Sequence, residues 1–580
     1  MRGFGIPPRR RSRCYSSATT MPPPRRIALL AAHPPIDPAS PTYALPNYGV
    51  HRIEAALRAA PELADSEVHV LESRDRDPDA LYQALEAVDA DLVGLSMYLW
   101  SLPTVAEVAK RWKREHPERR VVAGGPSARP AMFRVAPFDD AHTYLDALVI
   151  DTPELAFTEI AKLSPSDVDG LSAVPGIELP VRRRSLVGAQ WQPTAKRVDS
   201  PRLQDRIVSP YQTGLIEKGG MGCLQTYYGC PFSCTFCSWG AMGDADDVLD
   251  VEYIERELLA MNDAEVEGVL LVDAALNLNA RAFKQLEAAE ARVGLLQRAL
   301  LHSEVYPAKL TDRHLRFIEG IRRPSLAVGV QSFDTEVLAR LDRAFDAARF
   351  ERVVKELAGI SDVVVELIAG LPGDRPESFR ETFERALSLG CSVRVYPCLV
   401  LPDGFMTRAP AHFDIDWDSV SLKVRSCWGW TRDELTAMGE YLGRRVAEHG
   451  GSVGEYWWSF DSFTVGAGRG RTLAGGAVSS ALLRKLGEWV PRATDARWRL
   501  ERAYTHDGKL FIEAQAGATE LTLWAEPMGA GEPPFATSNG IAFRTLGEVP
   551  AAEQYAMSRL VPVLGKILQH PAKWRGAAPE

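Results

Sequence analysis

The chain has 580 residues, of which 46% are apolar and 25% charged, with a net charge of −9. At ~100–200 residues per domain this leaves room for three or four domains of ordinary globular composition. The acidic balance argues against a nucleic-acid partner, and no uninterrupted run of ~18 apolar residues predicts a membrane span. Eight cysteines in a chain this long do not read as a disulfide framework, and clustered thiols fit a reducing, cytoplasmic setting.

Residues 1–25 carry Arg9, Arg10, Arg11, Arg13 and Arg25 among prolines and serines, with no apolar stretch behind them. A secretory signal would need such a stretch. The segment reads as a disordered leader, with Met21 as an alternative start, and weakly resembles a transit peptide. From Arg26 strands and helices alternate. Strands are expected at Ile27–Ala32, Glu67–Glu72, Asp91–Tyr98, Arg120–Ala123 and Leu145–Ile150. Helices are expected at Gly49–Ala60, Asp79–Val88 (capped by Asp77, with Pro78 first), Val105–Glu115 and from Glu154. This alternation predicts a doubly wound, Rossmann-like parallel sheet over residues 26–162, with ligands at the carboxyl ends of its strands. Ser96 closes the third strand there, and Gly124 and Gly125 close the fourth, where glycine lets a ligand approach the backbone.

Residues 163–212, rich in Pro, Ser and Arg, read as a linker with a little irregular strand. A strand is expected over Leu224–Tyr228. It leads into Cys230, Cys234 and Cys237, spaced Cys-x3-Cys-x2-Cys on a loop with Gly229 and Pro231. Soft thiolates select zinc, copper(I) or iron–sulfur clusters. A structural zinc site usually closes four ligands in two pairs, and no second pair follows. Cys223 lies seven residues before Cys230, up to ~23 Å of extended strand away, and reads as a buried thiol. A zinc or plain structural site remains the alternative reading of the trio.

With Phe236 as the aromatic residue before the third cysteine, this motif resembles the signature of the radical S-adenosylmethionine (SAM) enzymes. The resemblance implies that the three cysteines hold a [4Fe-4S] cluster. One iron stays open for the amino and carboxylate groups of SAM, which an electron then cleaves to a 5′-deoxyadenosyl radical. A flavodoxin- or ferredoxin-type donor would supply that electron.

Beyond the motif, about six strand–helix units predict a partial (β/α)6 barrel within residues 213–430, its active site at the carboxyl strand ends. Polar or flexible residues close successive strands: Asp273 in Val272–Asn277, Glu304, Gln331, and Gly370 in Gly370–Gly373. Each alone could be a cap or a structural residue. The family's usual Gly-Gly-Glu is absent. The Asp273-x-x-x-Asn277 form resembles the variant of a B12-binding branch, which implies contact with the SAM amino group, and the backbone at Gly370 would pass the adenine.

Residues 431–580 read as a mixed α+β domain that packs a core or closes over a substrate. Helices are expected at Thr431–His449, Val478–Val490 and Ala551–Leu568, with a hairpin of Lys509–Glu513 and Glu520–Trp524. Two aromatic clusters, Cys427–Trp430 and Tyr456–Trp458, belong to this region and its entry. Cys398 and Cys427 read as inert buried thiols.

Placed before a radical SAM motif, the first sheet resembles a cobalamin-binding domain in Asp91–Trp100 and Val121–Pro126. The cofactor tail would then thread near Ser96, Gly124 and Gly125. The Asp-x-His-x-x-Gly motif that supplies a cobalt ligand in many such domains is absent, so cobalt would be bound without a histidine beneath it. Trp100 is either the residue under that lower face or an ordinary tryptophan. His33, His51, His69, His116 and His142 read as structural or surface histidines. The combination resembles a B12-dependent radical SAM enzyme acting on a small molecule or peptide. It implies a methyltransferase that uses methylcobalamin and the deoxyadenosyl radical on an unactivated carbon. Rearrangement or cyclisation without net methylation, or a cobalamin or redox sensor without turnover, are the alternatives.

Overall fold

A computed structural model describes residues 26–34, 45–74, 76–181, 190–194, 207–216, 218–241, 243, 245–343, 345–449, 451–460, 486–488, 490–491, 498–506, 509–516, 519–527, 536–538 and 541–546. The leader, the helix expected at Ala551–Leu568 and most of that at Val478–Val490 lie outside these residues.

The first sheet has seven strands in the order β2-β1-β3-β4-β5-β6-β7. They are β1 (Arg26–Ala32), β2 (Glu67–Ser73), β3 (Leu92–Ser96), β4 (Arg120–Gly124), β5 (Ala147–Val149), β6 (Ile177–Pro180) and β7 (Trp191–Pro193). Strands β1–β5 are parallel, and β6 and β7 add antiparallel to the β5 edge. The stretch expected to be a linker is thus partly built into this sheet. Its strands are three or four residues long, too short for a periodic signal, and the prolines at 180 and 193 mask them in the sequence. Helices α1 (Tyr48–Ala59), α2 (Pro78–Val88), α3 (Leu102–Glu115), α4 (Pro153–Ala161) and α5 (Val168–Ala173) alternate with the strands. Asp77 caps α2 by accepting from the Asp79 N–H at 2.9 Å, and Pro78 occupies the first turn. The middle strands are apolar throughout because helices cover both faces.

The second sheet orders its eight strands β16-β17-β13-β12-β11-β10-β9-β8. Its parallel part is β8 (Met221–Leu224), β9 (Gly268–Leu271), β10 (Leu300–Glu304), β11 (Arg323–Gln331), β12 (Asp362–Ala369) and β13 (Ser392–Pro397). After the small pair β14 (Asp416–Trp417) and β15 (Val424–Ser426), strands β16 (Gly451–Val453) and β17 (Trp458–Phe460) add antiparallel beyond β13. Strand β8 stays at the other edge, so the six β/α units form an open barrel. Strand β8 ends at Leu224, four residues earlier than the sequence pattern suggested, because Asp273 captures Thr226 and Tyr227 out of the ladder.

The outer layer is α6 (Val251–Asp263), α7 (Ala280–Val293), α8 (Asp312–Gly320), α9 (Thr335–Arg340), α10 (Ala347–Ala358) and α11 (Pro376–Leu387). Strand β12 shows how the barrel divides. Val363, Val365, Leu367 and Ala369 are buried in the core shared with Phe350, Val354, Phe379 and Phe383 of α10 and α11. Each Val, Leu or Phe among them contributes ~1.5–3 kcal/mol when fully buried. The alternate residues, Glu366 and Ile368 among them, turn to the lumen and stay half-exposed.

Helix α12 (Phe405–Arg408) follows β13, and α13 (Arg432–His449) follows β15. The expected hairpin is part of a five-stranded antiparallel sheet in the order β18-β19-β20-β22-β21. These are β18 (Arg499–His506), β19 (Lys509–Ala516), β20 (Thr519–Pro527), β21 (Ala536–Ser538) and β22 (Ile541–Leu546). No helix among the described residues is long and apolar enough to cross a membrane.

Candidate active site

The cysteine loop hangs from the carboxyl end of β8. Cys234 is buried, Cys230 and Cys237 are half-buried, and all three are free thiols. Burial pushes the Cys230 and Cys237 thiols up, and each also feels the charge of Cys234. Arg408 of α12 donates to the Ser233 and Cys234 carbonyls at 3.1 Å and to the Cys237 carbonyl. Gly404 lies so close that a Cβ there would stand 2.8 Å from the Phe236 carbonyl. The Thr235 N–H donates to the Leu341 carbonyl, and its hydroxyl to Asp342. An Arg343 guanidinium nitrogen lies 3.9 Å from the Cys234 sulfur. Phe236 packs its ring against a separate apolar cluster that includes Phe405 and Phe413.

Among the described residues no three His, Cys, Asp or Glu side chains close on a single ion. Three soft thiols on one loop, without a second pair of ligands, fit an iron–sulfur cluster better than a closed four-ligand zinc site. Cys223 stands apart inside β8, 5% exposed, its thiol pushed up to about 12 by burial.

The barrel lumen beside this loop is polar. Glu304, at the end of β10, and Glu366, in β12, are hydrogen-bonded to one another. Burial raises both carboxyls, and the Glu366 charge raises Glu304 further. Glu304 is the one raised further, and it is the donor in that hydrogen bond. The Tyr396 hydroxyl donates to Glu366 at 2.9 Å. The positive charges of Arg394 and Arg343 face both carboxyls. Gln331 ends β11 with a left-handed φ of 64°, at a register shift against β12. Such a conformation in a non-glycine residue costs ~1–3 kcal/mol and concentrates at functional sites. The Gln331 Oε1 and the Arg394 Nε are buried without a hydrogen-bond partner among the described residues.

Asp273 is 3% exposed and faces the root of the cysteine loop. It accepts from the Thr226 N–H at 2.8 Å, from the Thr226 hydroxyl, and from the Tyr227 N–H at 3.4 Å. Burial pushes its carboxyl up to about 7. Asn277 clamps the Tyr306 backbone through both amide atoms at 2.8 Å, and the Tyr306 ring packs 4.8 Å from that of Phe232. Gly370 has a φ of 90°, and a Cβ there would stand 2.9 Å from Leu435 of α13. Protein thus closes over this side of Gly370. A cavity of about 360 Å³ opens next to it, lined by Cys398, Lys423, Arg432, Leu435 and Trp458 among others.

At the first sheet, Ser96 and Gly124 pair across β3 and β4. The Met97 N–H donates to the Gly124 carbonyl at 2.8 Å, and the Ser127 N–H to the Met97 carbonyl at 2.9 Å. Gly125, φ 100°, lies against this crossing, where a Cβ would stand 2.7 Å from the Met97 carbonyl oxygen. The Trp100 Nε1 donates to the Ala32 carbonyl at 3.2 Å, and its ring stacks on Tyr98 with centroids 4.6 Å apart. Trp100 therefore joins the ends of β1 and β3, the switch point where doubly wound sheets take ligands. His33 faces Glu72, and His51 faces Glu54 and Glu72.

Glu366, Arg394, Tyr396, Arg343 and Arg408 escaped the sequence reading. A charge within an otherwise apolar β12 and the Arg394-x-Tyr396 alternation of β13 were the available signals. The two clamping arginines follow helix and loop positions with no pattern of their own.

A family model of the radical SAM superfamily matches residues 224–386, and one of the B12 binding domain matches residues 38–160. The 2-(S-pantetheinyl)-carbapenam-3-carboxylate methyltransferase of Streptantibioticus cattleyicolor is 28% identical over 335 residues, 54% of this chain and 48% of the relative. The cobalamin-dependent radical SAM methyltransferase TokK of Streptomyces tokunonensis is 30% identical over 338 residues, with the same coverage of 54% and 48%. The matches span about half the length of these curated relatives. In fold, the chain resembles TsrM of Kitasatospora setae, solved with tryptophan substrate and a SAM analogue, with 18% identity, a TM-score of 0.50 and coverage of 66% and 75%. It also resembles OxsB with aqua-cobalamin bound, with 12% identity, a TM-score of 0.54 and coverage of 73% and 68%. The chain thus carries a radical SAM domain over residues 224–386 and a B12-binding domain over residues 38–160.

Proposed function

We propose that this protein is a cobalamin-dependent radical SAM methyltransferase that methylates an unactivated carbon of a small molecule or peptide. One observation carries the reading: a three-thiol loop at the end of β8 is pinned by Arg408 beside a polar barrel lumen, and helix α1 of the B12-binding domain is tied to the entry of that loop through Arg52. When bound, a [4Fe-4S] cluster, SAM and cobalamin would supply the radical and the methyl group.

The chain's own residues would hold and orient them. Cys230, Cys234 and Cys237 would ligate iron, with Phe236 packed beneath the loop. Asp273 would fix the loop root, and Glu304, Gln331 and Gly370 would border SAM. The hydrogen-bonded Glu304 and Glu366 carboxyls would face the lumen beside the Arg394 side chain. Ser96, Trp100, Gly124 and Gly125 would border the corrin and its tail. A flavodoxin- or ferredoxin-type donor in the cytoplasm would deliver electrons. The working division is residues 26–162 for cobalamin, extended by β6 and β7 from the stretch 163–212, then 213–430 with the added strands β16 and β17 for the radical chemistry, and the remainder of 431–580 for substrate.

Anaerobic protein loaded with iron, sulfide and hydroxocobalamin tests this. With SAM and reductant it should yield both S-adenosylhomocysteine and 5′-deoxyadenosine. Deoxyadenosine alone would point to rearrangement, and neither product to a sensor.

A further inference from the structure

We infer that two buried arginines of the first sheet's domain, Arg52 and Arg129, bracket the cysteine loop and set its position relative to the B12-binding strand ends. This assigns them as positioning residues and rests on the reading above for its effect on turnover.

Arg52 lies on α1 and is 6% exposed. Its Nε pairs with Glu154 of α4 at 2.7 Å, which ties it into its own domain. Its two terminal nitrogens reach across to the barrel, donating to Gln225 Oε1 at 3.1 Å and to the Tyr228 hydroxyl at 2.9 Å. Gln225 and Tyr228 open and close the short connection between β8 and Gly229-Cys230. Gln225 also donates to the Tyr227 carbonyl at 3.2 Å, so one guanidinium holds the whole entry to the loop.

Arg129 does the same on the exit side. It follows the Gly124-Gly125 turn, is 8% exposed, and meets Asp403 at 2.9 Å. Asp403 precedes Gly404, which touches the Phe236 carbonyl, and the same segment carries Arg408 with its hold on Ser233, Cys234 and Cys237. The B12-binding side thus reaches both flanks of the cysteine loop through rigid, forked cations. Interfaces between domains are by default mobile. A buried guanidinium that loses its partners stays charged and unpaired, so sliding the domains is strongly opposed. Holding two reacting centres in line is worth as much as ~10²-fold in rate per 1 Å.

The test uses full-length Arg52→Gln, Arg129→Gln and the reversed pair Arg129→Asp with Asp403→Arg. Amide exchange over residues 225–237, which needs no cofactor, should rise about tenfold in each single variant and return toward the parent in the reversed pair. In loaded protein, S-adenosylhomocysteine formed per deoxyadenosine should fall about 10- to 100-fold while iron and corrinoid contents hold. Where Arg52→Gln folds poorly, Tyr228→Phe removes one of the same bonds and is read alike. Unchanged exchange, or a product ratio that stays constant in every variant, overturns the inference. Absence of both products in the parent instead sinks the methyltransferase reading, and the exchange measurement still judges the bracket.

Discussion

The two parallel sheets present their strand ends in opposite chemical terms. In the first, the ends of β1, β3 and β4 offer backbone, glycine and stacked rings: Ala32, Ser96, Gly124, Gly125 and the Tyr98–Trp100 pair. In the barrel, β10 to β13 offer charge to the lumen: Glu304 hydrogen-bonded to Glu366, Arg394 and a strained Gln331, with Arg343 from the loop after α9. The first arrangement admits a broad, flat ligand against the backbone. The second would suit a charged one, because buried polar groups must be paired or must pair with what binds. One topology, strands ending at a loop, would thus serve two kinds of recognition according to the side chains placed in and just beyond the strands.

Breaking the barrel half alone should have the largest effect. Cys234→Ala is expected to lower deoxyadenosine formation by at least ~10³-fold and to reduce bound iron, with corrinoid uptake unchanged. Product chromatography, iron analysis and the visible corrinoid spectrum read the three arms. Breaking the other half is the mirror test. Gly125→Val forces a left-handed backbone and a clash with Met97, at about 2 kcal/mol or more. Corrinoid retention should fall while iron content holds, and denaturation should begin in residues 26–162 by amide exchange.

The smallest effect concerns Asp273. Burial lifts its carboxyl from 3.8 to about 7. Between those values the folded chain keeps the proton that the unfolded chain releases. Its contribution to stability therefore falls as pH rises, by at most ~1.4 kcal/mol per pH unit, and levels off above about 7. Asp273→Asn should flatten this part of the profile. A thermal midpoint that drops less between pH 4.5 and 7.5 than in the parent checks it; buried Glu290, Glu304 and Glu366 tilt both proteins alike, so the difference isolates Asp273.

Much of the fold was readable because long strand–helix alternation survives in composition. The expected strands at Glu67–Glu72 and Arg120–Ala123 became β2 and β4, and Asp77 capped its helix as its position suggested. Short edge strands such as β6 and β7 carry no such periodicity. Strand β8 shows a different limit: its end was decided by Asp273, 47 residues away, which draws Thr226 out of the ladder. Glu366 was invisible as a partner because nothing local links it to Glu304.

What the sequence determined is therefore local and periodic: which segments are strands and helices, and that three cysteines share one loop, since spacing along the chain dictates reach. What the tertiary structure decided is which distant side chains meet. The raised Glu304 carboxyl, the hold of Arg408 on the loop, and the grip of Arg52 and Arg129 across the domain boundary all arise from packing. Burial is a property of the packed molecule, and it sets both the charge of these groups and the partners they must find.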